Sequence, residues 1–396
     1  MPASELGWPR AVSRETVTPP SSPPISAADA PTSTEGTTTG SLEGAGDHRS
    51  TTVERESGPG VAVRGTESGP AEAGSSERTT DDTEERAAIA ASIPGADAMT
   101  PLAQAVAADA RKRITLSGRT VPRPSRTRVL TVANQKGGVG KTTTTVNIAA
   151  ALAQAGSTVL VIDLDPQGNA STALGIDHHS EVPSIYDVLV EGEPLADVVQ
   201  ACPDIPRLLC APATIDLAGA EIELVSLVAR ETRLQKAVAA YVEQRAASED
   251  QLDYVLVDCP PSLGLLTVNA FVAATEVFIP IQCEYYALEG LSQLLKNIEM
   301  IRNHLNPSLH VSTILLTMFD ARTRLSAQVA DEVRTHFSEQ TLRATVPRSV
   351  RISEAPSHGE TVMTYDPNSS GALSYLEAAV ELAERGVRAQ TTEESA

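Results

Sequence analysis

The chain has 396 residues with 51 Asp and Glu against 31 Lys and Arg, a formal net charge of −20. Such an acid excess excludes a protein that binds nucleic acid through its overall charge, so any DNA contact has to come from a local patch. Apolar runs such as Val159 to Ile162 and Ile314 to Leu316 are strand-sized, far short of the ~18 residues of a membrane helix, and the opening MPASELGWPRAVSRE has no basic start before an apolar core, so the reading is a cytoplasmic chain with no signal peptide and no membrane insertion.

Residues 1–97 are dense in Ser, Thr, Pro, Gly and Glu, and residues 1–100 carry 16 acidic and 7 basic side chains. Too little apolar surface is available there to offset the entropy of ordering, so the segment is expected to be a disordered, low-complexity acidic tail. Two readings of it stand side by side: a solvated tail, or a tether for a polar or cytoskeletal partner. Residues 98–127 change character. Thr100 is placed to cap a short amphipathic helix with Pro101 in its first turn, Leu102, Val106 and Ala110 on one stripe, and Arg111, Lys112 and Arg113 at its end. The basic, proline-containing stretch that follows reads as an extended linker, free either to touch an acidic surface or simply to connect.

Arg128 to Ala133 is the first predicted strand, and Thr142 to Ala155 a helix with Gly156 past its end. Between them lies Lys136-Gly137-Gly138-Val139-Gly140-Lys141-Thr142-Thr143. Glycines that turn backbone N–H groups toward an anion, a lysine for β/γ-phosphates and a hydroxyl for Mg²⁺ are the parts of a phosphate-binding loop, and the strand–loop–helix context is the one that motif requires. Gln135 stands where the general pattern has its first glycine, and Lys136 is an additional lysine.

A second apolar strand ends at Asp163 and Asp165, followed by Pro166 and Gly168; a later one ends at Asp258 before a Pro-Pro-Ser turn. In an open parallel sheet, strand ends deliver such carboxylates to the ligand edge, where they can hold Mg²⁺ through water or position an attacking water. Residues 180–250 read as mostly helical, with one strand at Arg207 to Ala211. Further strands are expected at Glu276 to Ile281, over VSTILLTMF and near Pro347, with helices between them and a last helix from Ala372 to Arg385. Cys202, Cys210, Cys259 and Cys283 form no C-x-x-C pair and are read as reduced structural thiols. The alternation predicts an α/β domain over 128–386, a mostly parallel twisted sheet of about seven or eight strands flanked by helices. A disordered C-terminus is expected over 387–396.

The segments NQKGGVGKTTTTVN, VLVIDLDPQGNAS, DYVLVDCPPSLGLLT, IPIQCEYYALEGLSQLL, LLTMFDARTRLS and VPRSVRISEAPSHG together resemble the ParA family of partition ATPases, the deviant Walker-A branch of the phosphate-loop proteins. The resemblance spans residues 127–386. It implies an ATP-dependent homodimer in which Lys136 reaches the partner's phosphates, Lys141 holds the β/γ-phosphates in its own subunit, Thr142 the Mg²⁺ and Thr143 the α-phosphate. Asp165 would then be needed for hydrolysis, with Asp163 and Asp258 supporting the metal through water and Pro347 joining the nucleotide residues. Val139 and Gly140 would leave no room for bulk at the dimer seam, and Gly137 would be the most sensitive glycine.

The resemblance further implies stimulation by the centromere-binding protein ParB and binding to nucleoid DNA. The local patch for that is the C-terminal third, where 8 basic and 5 acidic side chains lie between Lys296 and Arg351. Arg322 and Arg324 follow one strand and Arg348 and Arg351 the next. With no recognition helix in evidence, contact is expected to be with phosphates and indifferent to sequence. A MinD-like membrane ATPase would need a basic amphipathic C-terminal helix, whereas this chain ends in EESA. A cluster-carrying relative would need cysteine ligands. A nucleotide-locked polar scaffold conflicts with intact Lys141, Thr142 and Asp165.

Overall fold

The computed structural model describes residues 101–116 and 119–394. The expected acidic tail at 1–97 and its partner lie outside the described residues, as do the side chains of Leu102 and Val106. Eight strands form one sheet: β1 (Arg128–Val132), β2 (Val159–Asp163), β3 (Gln200–Ala201), β4 (Leu208–Ala211), β5 (Tyr254–Asp258), β6 (Glu276–Gln282), β7 (His310–Phe319) and β8 (Thr341–Pro347). Their order is β3-β4-β2-β5-β1-β6-β7-β8. Every pairing is parallel except the two-residue edge strand β3 against β4, which the sequence pattern did not reveal.

Parallel strands need crossovers that cover both faces, so the central strands are buried throughout and read as continuous apolar runs. Their alternation still sorts residues by face. Val159 and Val161 of β2, with Leu130, Val132 and Leu256, pack beneath helices α1 (Pro101–Leu116), α2 (Lys141–Gln154) and the closing helix. Leu160 and Ile162, with Val255 and Val257, face the opposite layer of α3 (Leu217–Leu224), α4 (Arg233–Ala247) and α5 (Leu265–Ala273). On that side α6 (Ala287–His304) and α7 (Arg324–His336) complete the layer over β6 and β7. α7 begins at Arg324, where the Thr323 hydroxyl caps it by accepting the Ser326 N–H at 3.3 Å.

The closing helix α8 runs Ser370–Glu394, well beyond the expected end at Arg385 and through most of the segment expected to be disordered. Its polar last turns offer no apolar period to read. They are engaged through Gln390, whose Oε1 accepts from the Ser125 N–H at 2.9 Å and the Ser125 hydroxyl at 3.1 Å. The basic linker also differs from expectation. Lys112 pairs with Glu377 of α8 at 2.7 Å and Arg119 with Glu384, while Arg123 reaches Gly156 O at 3.0 Å and Asp253 at 3.8 Å. Leu116 and Val121 are buried in the core. Residues 107–116 and 119–127 are therefore docked on the domain as a strap rather than a free connector. No helix among the described residues is long and apolar enough to cross a membrane.

Candidate nucleotide and cation site

The carboxyl ends of β1, β2, β5, β6, β7 and β8 share one edge, and the glycine loop leaves β1 where the strand order reverses, between β5 and β6. The loop is tied at both ends. Asn134 Nδ2 donates to Pro280 O at 2.8 Å while its Oδ1 accepts the Lys136 N–H at 3.0 Å, and the Thr317 hydroxyl donates to Val139 O at 2.8 Å. Gly138 and Gly140 have φ of 74° and 88°, so these two positions require glycine. Gly137 has no such requirement, and a Cβ there meets nothing within 4 Å, so its expected pre-eminence has no support in this subunit. Val139 is buried within its own subunit. Beyond Gly140 the first N–H groups of α2 are free to bind an anion, and Lys141, only 8% exposed, sits among them. Thr143 is half-buried in the same turn.

Asp163 and Asp258 are register partners at the ends of β2 and β5, both with no exposed surface. Thr142 and Thr145 hydroxyls lie 2.7 and 2.9 Å from the two Asp258 oxygens. Ser171 donates to Asp163 Oδ2 from its N–H at 2.9 Å and its hydroxyl at 2.8 Å, and the Asp165 N–H reaches Asp163 Oδ1 at 3.1 Å. Burial above all, with the Asp163 charge second, pushes Asp258 up to about 7 against the pull of Thr142, Thr145 and Lys141. Burial likewise raises Asp163 to about 6. Hydroxyl and carboxylate oxygens are hard donors suited to Mg²⁺, and two buried like charges favour a cation between or beside them. Among the described residues no group of three or more His, Cys, Asp or Glu could hold a metal ion, so a cation here has to complete its shell with phosphate and water oxygens. Asp165 is less buried; its Oδ1 accepts the Gln167 N–H at 3.0 Å, which fixes the turn at the mouth of the site.

Lys136 does not point into this cradle. Its Nζ lies 2.8 Å from Glu284 Oε2, on the loop after β6. Pro347 ends β8 opposite Phe319 on the same edge. The four candidate arginines follow β7 and β8, so the fold brings their loops side by side, but three of them already have acidic neighbours. Arg322 is bidentate to Asp320 at 2.9 Å on each arm, Arg351 meets Glu354 at 3.2 Å and Asp366 at 3.5 Å, and Arg348 lies 3.9 Å from Glu284. Arg324 opens α7. The sequence reading missed Thr145, Ser171 and Glu284. Thr145 could have been found, since it lies one helical turn after Lys141, and so could Ser171, only eight residues beyond the Asp163 it bonds; Glu284 is remote in sequence from Lys136 and no local pattern links the two.

Residues 127–311 match a family model described as an AAA domain. The chain is 49% identical over 259 residues to the sporulation initiation inhibitor protein Soj of Bacillus subtilis, covering 65% of this chain and 99% of that protein. It is also 49% identical over 258 residues to the chromosome partitioning protein ParA of Caulobacter vibrioides, covering 65% and 94%. Among solved structures it resembles cobyrinic acid a,c-diamide synthase from Mycobacterium smegmatis with bound ATP analogue and magnesium, at 37% identity and a TM-score of 0.54 over 64% of this chain and 93% of that one. The cell division ATPase MinD of Pyrococcus furiosus shares the fold at 23% identity and a TM-score of 0.52, over 68% and 99%.

Proposed function

The chain belongs to the ParA/Soj family of chromosome-partitioning ATPases, and on that premise we propose that it binds and hydrolyses Mg²⁺-ATP, dimerises when ATP is bound, and in that state holds nucleoid DNA without regard to sequence. The observation that carries this is the cluster at the start of α2: Lys141 and free helix N–H groups beside a hydroxyl-lined pair of buried carboxylates, with a second lysine, Lys136, at the loop's entrance. The loop and α2 N–H groups would receive the phosphates, with Lys141 as counter-charge. Thr142, with Asp258 and Asp163 through water, would hold the Mg²⁺, which supplies charge neutralisation on the phosphate oxygens. Asp165, at the rim, would orient the attacking water.

Chemistry in such a site is positioning and charge stabilisation, so intrinsic turnover is slow and open to acceleration by a partner. A ParB-type protein is the partner this reading assigns, and a nucleoid-associated cytoplasmic location follows from it. Arg322, Arg324, Arg348 and Arg351 form the DNA face. Their acidic neighbours are partly exposed, so phosphates can displace them at small cost. The test is retention of random-sequence DNA by the full chain with ATP, ADP or no nucleotide. Retention is expected with ATP alone and should fall steeply with salt. Equal retention in the three states, or none in any, would sink the reading.

A further inference from the structure

Glu284 connects the entrance of the nucleotide loop to the arginine loops. Its position is set by the strand end. The Glu284 N–H donates to Gln282 O at 2.8 Å, the preceding Cys283 N–H reaches Thr317 O at 3.4 Å, and the Ser326 hydroxyl donates to Cys283 O at 3.3 Å. The carboxylate is oriented as well. Gln282 Nε2 donates to Oε1, and Arg348 lies 3.9 Å from the same oxygen. Oε2 is thereby turned to Lys136, whose Nζ sits 2.8 Å away. The backbone of Lys136 is fixed by Asn134, so only its side chain has a choice of partner.

We infer that Glu284 is a positioning residue that holds Lys136 on its own subunit, so that the lysine must leave this carboxylate before it can bridge to a second copy across bound ATP. The inference rests on the dimer reading given above, and it concerns what limits that dimer. A lysine held in cis leaves only a fraction of subunits competent to associate, and apparent affinity falls by that fraction. The pair is partly exposed, at 34% for Lys136 and 46% for Glu284, so the hold is a modest bias rather than a lock. Triphosphate oxygens from a facing subunit carry more charge than one carboxylate and can outcompete it.

The experiment is sedimentation of the full chain titrated with a slowly hydrolysed ATP analogue and Mg²⁺. Glu284→Gln keeps the shape and the Gln282 contact but weakens the hold, and its half-saturation for dimer formation should fall about two- to fivefold. Glu284→Asp, which keeps the charge, should return toward wild type. Lys136→Ala should fail to dimerise, and adding Glu284→Gln to it should change nothing, because the carboxylate acts only through that lysine. A Glu284→Gln curve at the wild-type position, or displaced to higher ATP, overturns the inference; the second result would place Glu284 in the dimer contact itself. Dimerisation of Lys136→Ala at wild-type ATP overturns the dimer reading instead, so the two failures are told apart.

Discussion

Taken together, the central strands β2, β5, β1 and β6 bury charge at both ends of the sheet, and the two ends treat it differently. At the start, Arg128 of β1 makes a bidentate pair with Glu276 of β6, at 2.8 and 2.6 Å, donates to Leu382 O of α8 at 3.0 Å, and lies 5.6 Å from the centre of the Tyr254 ring. A Cβ on Gly386 would lie 2.0 Å from Arg128 Nη1, so the closing helix is fitted around the guanidinium. Burial pushes Glu276 up, yet its bond to Arg128 holds it below its ordinary value. At the far end, Asp258 and Asp163 lie side by side and both are driven the other way, to about 7 and about 6. One end satisfies its charges within the chain and is structure. The other keeps like charges together, which is costly in a protein that has nothing to put there.

The comparison breaks most visibly if the first end is cut. Arg128→Ala leaves Glu276 buried without its partner, and a loss of about 3–5 kcal/mol in urea unfolding is expected. Nucleotide binding by the folded fraction should persist, because Arg128 lies at the opposite end of β1 from the loop. A loss below about 1 kcal/mol would show that the pair holds nothing.

The second end should respond with the opposite sign. The folded pKa values of Asp258 and Asp163 lie above the ordinary unfolded value of about 3.9, so the folded chain holds protons that the unfolded chain has released. Their contribution to stability is therefore full below about pH 4, is lost as pH rises toward 7, and is level above that. Without Mg²⁺ or nucleotide, the melting temperature should fall from pH 5 to pH 8. Asp258→Asn should flatten that fall while abolishing ATP hydrolysis. Parallel melting profiles for variant and wild type would show that the site is not strained by its own charge.

Much of this arrangement was legible in the sequence because it is local. The loop, its flanking strand and helix, and the strand-end aspartates are each carried by contiguous residues whose spacing has one good physical reading. The parallel sheet followed from alternation. What escaped depends on tertiary partners. Arg128 read as the first residue of a strand; only the approach of Glu276 and Leu382 makes it a buried anchor. Glu284 drew no reading of its own because its partner Lys136 lies far away in sequence, and the strap read as a free basic linker because the acids that receive its charges lie in the closing helix. The short edge strand β3 has too few residues to carry a pattern.

The strap supplies the smallest and most discriminating test. Lys112–Glu377 and Arg119–Glu384, like Arg128–Glu276, join the beginning of the domain to an acid elsewhere in the fold, but the Lys112 pair is 44% and 34% exposed where the Arg128 pair is 6% and 11%. Water already solvates the strap's charges, so each pair should contribute under about 1 kcal/mol and fade at high salt. Glu377→Gln and Glu384→Gln should each cost no more than that in urea unfolding, with no difference left near 0.5 M salt, roughly two to three times closer screening than at 0.1 M. The strap's hold then comes from apolar burial of Leu116 and Val121 and from the Val121 N–H bond to Ala155 O at 3.2 Å. A loss of about 2 kcal/mol or more from either glutamate, persisting in salt, would put the strap in the same class as the buried pair, and exposure would no longer separate the two.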